Sequence, residues 1–317
     1  MASRVLVVAQ LPTDWLEPLQ TAGLDVHLAP ELAGDHVALC AAAADADAIL
    51  CVLSAPIDAE VLSAGALGRL RVVANIAVGY DNIDVAAAQR HHVAVCNTPG
   101  VLDSATADVA MLLILAACRG ATAAQASLRE GGWRGWELTG YLGKDLAGAR
   151  LGLVGFGGIG QAVAARATAF AMQVRHHARR PTGRPGYVPD LDTLLSESDV
   201  VSIHVPRSPE TIGLLSADRI GRMPRASILV NTARGGIVDE DALVAALISG
   251  HLAGAGLDVF DGEPNVSPHL LSAPRLTLLP HIGSATWATR EAMTRLACQG
   301  VVDVLAGRTP VNLVAGR

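Results

Sequence analysis

The chain has 317 residues, 51% hydrophobic content and a formal charge of −6. Its length allows two domains of ordinary size, each with ample core material. The acidic balance, without a long basic run, argues against nucleic acid or an anionic membrane surface as the main partner and leaves a small molecule as the default ligand.

The opening residues, Met-Ala-Ser-Arg-Val-Leu-Val-Val, run straight into a strand-like segment and lack the apolar core of a signal peptide. Val109 to Cys118, the longest apolar run, is bounded by Asp108 and Arg119. It is about half of the ~20 residues that a membrane-spanning helix needs. A cytoplasmic protein is therefore expected. Cys40, Cys51, Cys96, Cys118 and Cys298 are scattered without C-x-x-C spacing, so reduced core thiols and no metal site are expected.

From Arg4 to Val95, short apolar runs at Val5 to Ala9, Val26 to Leu28, Ala48 to Leu53, Arg71 to Asn75 and Val93 to Val95 alternate with helix-like segments. That alternation predicts a parallel sheet covered by helices. Asn97-Thr98-Pro99-Gly100 is a turn-rich boundary. Beyond it, Ser104 to Leu128 reads as one long helix, apolar nearly all round at its centre, which predicts a place between domains or subunits. Gly131 to Glu137 follows with Trp133 and Trp136, two of only four tryptophans; that density suits an interface or lid, or equally a packed turn.

Leu151 to Val154 then reads as a strand, Gly155, Gly157 and Gly160 fit G-x-G-x-x-G, Gln161 to Phe170 continues as a helix, and Gln173 to His177 is a second strand. In that context one glycine makes a tight turn, the next admits a pyrophosphate, and the third lets helix pack on strand. Backbone N–H groups at the helix start, through Gly158, Ile159 and Gly160, face the phosphates. An NAD-binding unit carries an acid at the end of its second strand. Here Ala178 takes that place and Arg179 and Arg180 follow, with Arg207 in the loop after Val205-Pro206. Arginines pair with a 2′-phosphate that an acid would repel, so NADP(H) is expected to be preferred, with NAD(H) possible. The competing reading is a solvated surface cluster.

Further strands are predicted at Val200 to Val205, Ser227 to Asn231, Ala253 to Asp258 and Leu276 to Leu279, with a helix over Asp239 to Ile248 stopped near Gly250. The last helix, Ala285 to Leu305, is expected to return to the first domain. Residues 1–98 and 285–317 would then form a substrate domain and residues 99–284 a dinucleotide-binding domain. Arg234, Glu263 and His281 each follow a predicted strand end, where parallel sheets bind ligands. Reduction of a 2-keto acid needs a cation for the carboxylate, a proton donor for the carbonyl oxygen and a partner that keeps the donor protonated, tasks that suit arginine, histidine and glutamate. Taken singly, a solvated loop arginine, a histidine satisfied by backbone and a surface acid are the competing readings, and spacing does not show that the three meet.

The segments Asn231-Thr232-Ala233-Arg234-Gly235-Gly236, Gly256 to Pro264 and Pro280-His281-Ile282-Gly283-Ser284-Ala285 closely resemble the D-isomer-specific 2-hydroxyacid dehydrogenase family, as do Val78 to Asp84 and Thr106-Ala107-Asp108. The resemblance implies two doubly wound parallel-sheet domains, flavodoxin-like for substrate and Rossmann-type for cofactor, with an active-site cleft between them. It implies that Arg234 binds the substrate carboxylate and carbonyl, that His281 is the acid in reduction and base in oxidation, and that Glu263 bonds His281 and raises its pKa. Leu53, Ser54, Val78 and Gly79 would cradle the carboxylate. Asp258 would orient the nicotinamide, and Thr106, Val205, Pro206, Thr211, Thr232, Ala233, His281 and Gly283 would line the cofactor. Within the family the chain looks most like glyoxylate and hydroxypyruvate reductases. A homodimer is expected, with Trp136 reaching a neighbouring subunit's pocket. The alternatives are a dehydrogenase for a bulkier 2-hydroxy acid using NAD and a dinucleotide-sensing protein of corepressor type.

Overall fold

A computed structural model of the chain describes residues 2–315. The chain divides into two compact units, Met1–Leu102 with Ala285–Arg317, and Asp103–Ser284. The crossing falls beyond the Asn97 to Gly100 turn, because Asn97 and Thr98 are still tied into the first unit: their N–H groups donate to the carbonyls of Asn312 (3.2 Å) and Ala77 (2.9 Å).

The first unit begins β1 (Arg4–Val8), α1 (Glu17–Thr21), β2 (Asp25–Leu28), α2 (His36–Ala44), β3 (Ala48–Cys51), α3 (Ala59–Leu67), β4 (Val72–Asn75), α4 (Val85–Arg90) and β5 (Ala94–Cys96). The second unit contains α5 (Asp103–Arg119), α6 (Ala121–Arg129), β6 (Arg150–Val154), α7 (Gly158–Ala169), β7 (Gln173–His177), α8 (Leu191–Ser196), β8 (Val200–Ile203), α9 (Ala217–Arg222), β9 (Ser227–Asn231), α10 (Glu240–Ile248), β10 (Leu252–Leu257), α11 (Pro268–Ser272) and β11 (Leu276–Leu278). The chain then returns to the first unit as α12 (Trp287–Leu305) and β12 (Leu313–Ala315).

Each unit holds a six-stranded sheet, ordered β12-β5-β4-β3-β1-β2 in the first and β11-β10-β9-β8-β6-β7 in the second. The second sheet is parallel throughout; in the first only β12 runs antiparallel, beside β5. The central strands β3, β4, β8 and β9 are buried at every residue, as expected of strands covered by helices on both faces. Acids and hydroxyls set the helix starts. Asp35, Asp58 and Asp84 accept backbone N–H groups at the starts of α2, α3 and α4, and Asp190, Ser216 and Asp239 do so for α8, α9 and α10. The return helix is stitched to the first unit by an edge-on pair of Trp15 and Trp287 and by Arg295 Nη1 donating to Glu17 (2.9 Å).

The single helix expected over Ser104 to Leu128 is instead two, bent by 67°. Gly120 lies between them at φ 58°, a left-handed geometry that ends one helix and that glycine adopts without steric cost. The apolar centre of α5 is covered from within its own unit. It packs on its own sheet, and Gly256 of β10 has no side chain because a Cβ there would meet Leu113 at 2.8 Å. Among the described residues, no single helix is long and apolar enough to cross a membrane.

Candidate active site and dinucleotide cradle

In the second sheet, β6 has β7 on one side and β8 on the other, so the order reverses at the turn that follows β6. That position is where open α/β sheets bind ligands. Gly155 has φ 98°, and a Cβ on it would meet the His204 carbonyl at 2.5 Å. Gly160 must be bare because its Cβ would run into the Gly155 carbonyl. Gly157, by contrast, faces open space. It is the N-cap of α7 and supplies no side-chain cap, so the first N–H groups of this helix are left for an incoming anion. A pyrophosphate fits this arrangement. Gly158 is bare for another reason, since the place of its Cβ is taken by the Asp103 carboxylate.

His204 supports the turn from below. Its Nε2 pairs with Ser202 Oγ at 2.9 Å, its Nδ1 is buried without a partner, and burial pushes its pKa down to about 4, so the ring is neutral at ordinary pH.

The remaining residues expected at the cofactor gather at carboxyl ends of the same sheet. Thr106, on the first turn of α5, and Asp258, just past β10, both border Gly283. Thr232 is buried, and its hydroxyl has no partner within the protein, a donor a cofactor would satisfy. Thr211 is engaged inside its own loop: its hydroxyl donates to the Pro206 carbonyl (2.7 Å) and accepts from the Ser208 N–H (2.8 Å). It thereby shapes the Val205-Pro206 segment. Ile159 opens α7 beside the glycines, and Ala233 follows Thr232 into the loop after β9. Ala178 leaves β7 with Arg179 and Arg180 exposed behind it. The charge of Arg179 is felt at Glu210, in the loop after β8, whose carboxyl is held below its usual range chiefly by Ser208. Arg207 lies beside Gly236 and Asp261, in the direction of the loop after β9.

Arg234, Glu263 and His281 follow β9, β10 and β11, and the structure links them. Glu263 Oε2 lies 2.7 Å from His281 Nδ1, and its Oε1 accepts the Phe260 N–H at 2.8 Å. Burial pushes the Glu263 carboxyl up, but bonds from His281 and Phe260 and the charges of His281 and Arg234 outweigh it and hold the pKa below the usual value. The glutamate is thus ionised at neutral pH. His281 has φ 54°, unusual for a residue with a Cβ. What holds it there is Asp258, whose two carboxylate oxygens accept the Ile282 and Gly283 N–H groups, each at 2.8 Å. Burial raises the Asp258 pKa despite those bonds.

Asn231 performs the same service for Arg234: it donates to the Arg234 carbonyl (2.8 Å) and accepts the Ala233 N–H (2.9 Å). Gly235 lets this loop press on the Phe260 carbonyl where a Cβ would clash.

In the first unit, Leu53 and Ser54 follow β3, and Val78 and Gly79 follow the neighbouring β4. Three asparagines that the sequence reading did not single out set these loops. Asn75 donates to the Gly79 carbonyl (2.8 Å) and to Asn82 Oδ1 (3.0 Å); Asn82 donates to the carbonyls of Val52 (3.3 Å) and Ala55 (2.9 Å); Asn97 donates to the Val78 carbonyl (2.8 Å). Asn82→Ala removes the amide bonds to the Val52 and Ala55 carbonyls and the partner of Asn75 Nδ2 in this network, and is expected to cost about 1–3 kcal/mol, read as a lowered denaturant midpoint. An unchanged midpoint would show that water replaces the amide.

A glycine turn at the switch point is a place for a dinucleotide, and an ionised glutamate bonded to a histidine suits acid–base chemistry. The family model for the D-isomer specific 2-hydroxyacid dehydrogenase NAD binding domain matches residues 111–283. A glyoxylate reductase of Thermococcus kodakarensis is 40% identical over 324 aligned positions, covering 99% of this chain and 96% of its own. Another, from Thermococcus onnurineus, is 44% identical over 281, covering 85% and 83%. Among solved structures, an NADPH-dependent glyoxylate/hydroxypyruvate reductase of Sinorhizobium meliloti, in complex with NADP and malonate, aligns with a TM-score of 0.89 at 35% identity, covering 99% and 97%. The chain belongs to the D-isomer-specific 2-hydroxyacid dehydrogenase family and is an NAD(P)-dependent oxidoreductase.

Proposed function

We propose that the protein uses NADPH to reduce a small 2-keto acid, glyoxylate or hydroxypyruvate, to the corresponding 2-hydroxy acid, of D configuration where the new alcohol carbon is a stereocentre. The observation that carries this reading is the 2.7 Å bond between His281 Nδ1 and Glu263, which leaves Nε2 of the same ring as the proton donor. The bound nicotinamide supplies the hydride. Arg234 binds the carboxylate and polarises the carbonyl, and the His281 imidazolium gives its Nε2 proton to the carbonyl oxygen, so that keto acid, hydride and proton together make the alcohol. Ionised Glu263 stabilises that imidazolium and orients the ring. Within the substrate unit, the loops at Leu53-Ser54 and Val78-Gly79 follow neighbouring strand ends and carry backbone N–H groups of the kind that hold a carboxylate. Exposed Arg179 and Arg180, with no acid at Ala178, favour the 2′-phosphate of NADPH.

The test is a spectrophotometric assay of purified protein with NADPH or NADH against glyoxylate, hydroxypyruvate, pyruvate and phenylpyruvate. Oxidation of NADPH by the two small substrates is expected. A preference for phenylpyruvate with NADH would replace this reading by a dehydrogenase for bulkier acids, and no oxidation with any of them would favour a dinucleotide sensor.

The working form is proposed to be a homodimer. Helix α6 buries none of its residues, and Leu128, Trp133, Trp136, Leu138, Tyr141 and Leu142 around it are exposed, Trp136 at 82%. So much apolar surface in one segment suits a second copy of the chain, and Trp136 is placed by this reading at the partner's substrate pocket. Trp133→Asp combined with Leu142→Asp is expected to turn a dimer into a monomer in sedimentation; a wild type that sediments as a monomer refutes the assignment.

A further inference from the structure

The Asp103 carboxylate lies against the start of α7. Its Cγ stands 2.7 Å and its Oδ1 3.2 Å from where a Cβ of Gly158 would be, and Oδ2 is nearer still. Gly158 is the first residue of the helix whose uncapped N–H groups face the anion site. The nearby cation of α7, Arg166, is committed elsewhere: its Nε donates to Asp108 at 2.6 Å and its Nη2 to Ser104 Oγ at 2.8 Å. Among the described residues no lysine or arginine pairs with Asp103. Burial raises its pKa, the mark of a carboxylate with reduced access to water, and such a charge is felt at longer reach than one in bulk solvent. A negative charge has thus been built beside a turn that must receive two more.

We infer that Asp103 sets the rate at which the dinucleotide leaves: its carboxylate, packed on Gly158, opposes the pyrophosphate, weakens the grip of the glycine turn and speeds release. The inference rests on the pyrophosphate occupying that turn. It gives Gly158 a role distinct from that of its neighbours, since it makes room for an acid where Gly157 makes room for the cofactor. Release of a nucleotide is a common limit on turnover in well-evolved enzymes, so a carboxylate at this point exchanges affinity for speed.

The test is direct binding to the purified, substrate-free protein. Asp103→Asn is expected to lower the Kd for NADPH and for NADH alike, by about tenfold, the order of magnitude for removing one repulsive charge near a protein surface. The dissociation rate in stopped-flow displacement should fall with it. The advantage over wild type should shrink between about 0.05 and 0.5 M salt, as repulsion between charges is screened. Asp103→Ser provides a second neutral variant should the asparagine fold poorly. Unchanged or weaker binding in folded variants, or an effect on NADPH alone, overturns the inference while leaving the cofactor assignment intact. A wild type that binds neither nucleotide overturns both.

Discussion

Replacing His281 by Ala is expected to lower kcat about 10²–10⁴-fold, the usual span for losing a positioned acid–base group, while the Kd for NADPH stays within a few-fold of wild type. The size of the effect follows from how completely the ring is committed. Nδ1 is held by Glu263, Glu263 is held by the Phe260 N–H, and the backbone at residue 281 is kept in a left-handed geometry by the Asp258 carboxylate. Losing the imidazole removes the donor without disturbing the glycine turn, so binding and chemistry should separate. Glu263→Gln keeps a hydrogen-bonding partner but removes the charge that stabilises the protonated ring, and the milder kcat loss should be accompanied by a shift of the basic limb of the reduction profile to lower pH. Near-normal turnover in His281→Ala would show that the proton comes from elsewhere.

The second large effect is expected at the far end of the nucleotide. Arg179→Ala combined with Arg180→Ala should raise the KM for NADPH by about 10²-fold, because each charge-assisted bond to a phosphate contributes roughly 1.5–3 kcal/mol where water is partly excluded and less where it is not. The KM for NADH should move less than about twofold, since a ribose hydroxyl makes no ion pair. Both side chains are solvent-facing at the end of β7, and a merely solvated cluster would give equal, small changes with both nucleotides. That outcome would withdraw the NADPH preference and leave the dehydrogenase assignment untouched. Because Asp103 acts on the pyrophosphate common to both nucleotides, its variants and these separate cleanly in the same assay.

Much of this was legible in the residues. Every strand of the second sheet falls within a residue or two of its predicted run: the buried β6, β8 and β9 read as unbroken apolar segments, whereas the polar edge strand β7 was placed by its position after the glycine turn and helix. Arg234, Glu263 and His281 were legible because polar residues immediately after such segments must lie at the carboxyl edge of the sheet. The positioning groups were not. Asn75, Asn82, Asn97 and Asn231 act on backbone carbonyls and N–H groups brought close only by the fold, and an asparagine after a strand carries no mark of which carbonyl it will meet. The α5–α6 break was hidden for a related reason: glycine is tolerated inside a helix at a cost of about 1 kcal/mol, so Gly120 alone does not reveal that its φ is positive. Asp103 was invisible as part of the cradle because its partner is the missing side chain of Gly158, which only packing exposes.

The return of α12 and β12 to the first unit has a consequence for how the chain is made. The second unit is one uninterrupted stretch, Asp103–Ser284, whereas the first is closed only by Ala285–Arg317. During synthesis the nucleotide-binding body therefore has its whole sequence before its neighbour does. Until the last segment emerges, β5 lacks the strand that covers its outer edge and the first sheet lacks the helix that packs on β4. An unpaired edge and an uncovered apolar face are what draw chains into aggregates. A chain ending at Ser284 would therefore present an open sheet edge and a bare apolar face on its first unit, and is expected to be less soluble than the full chain.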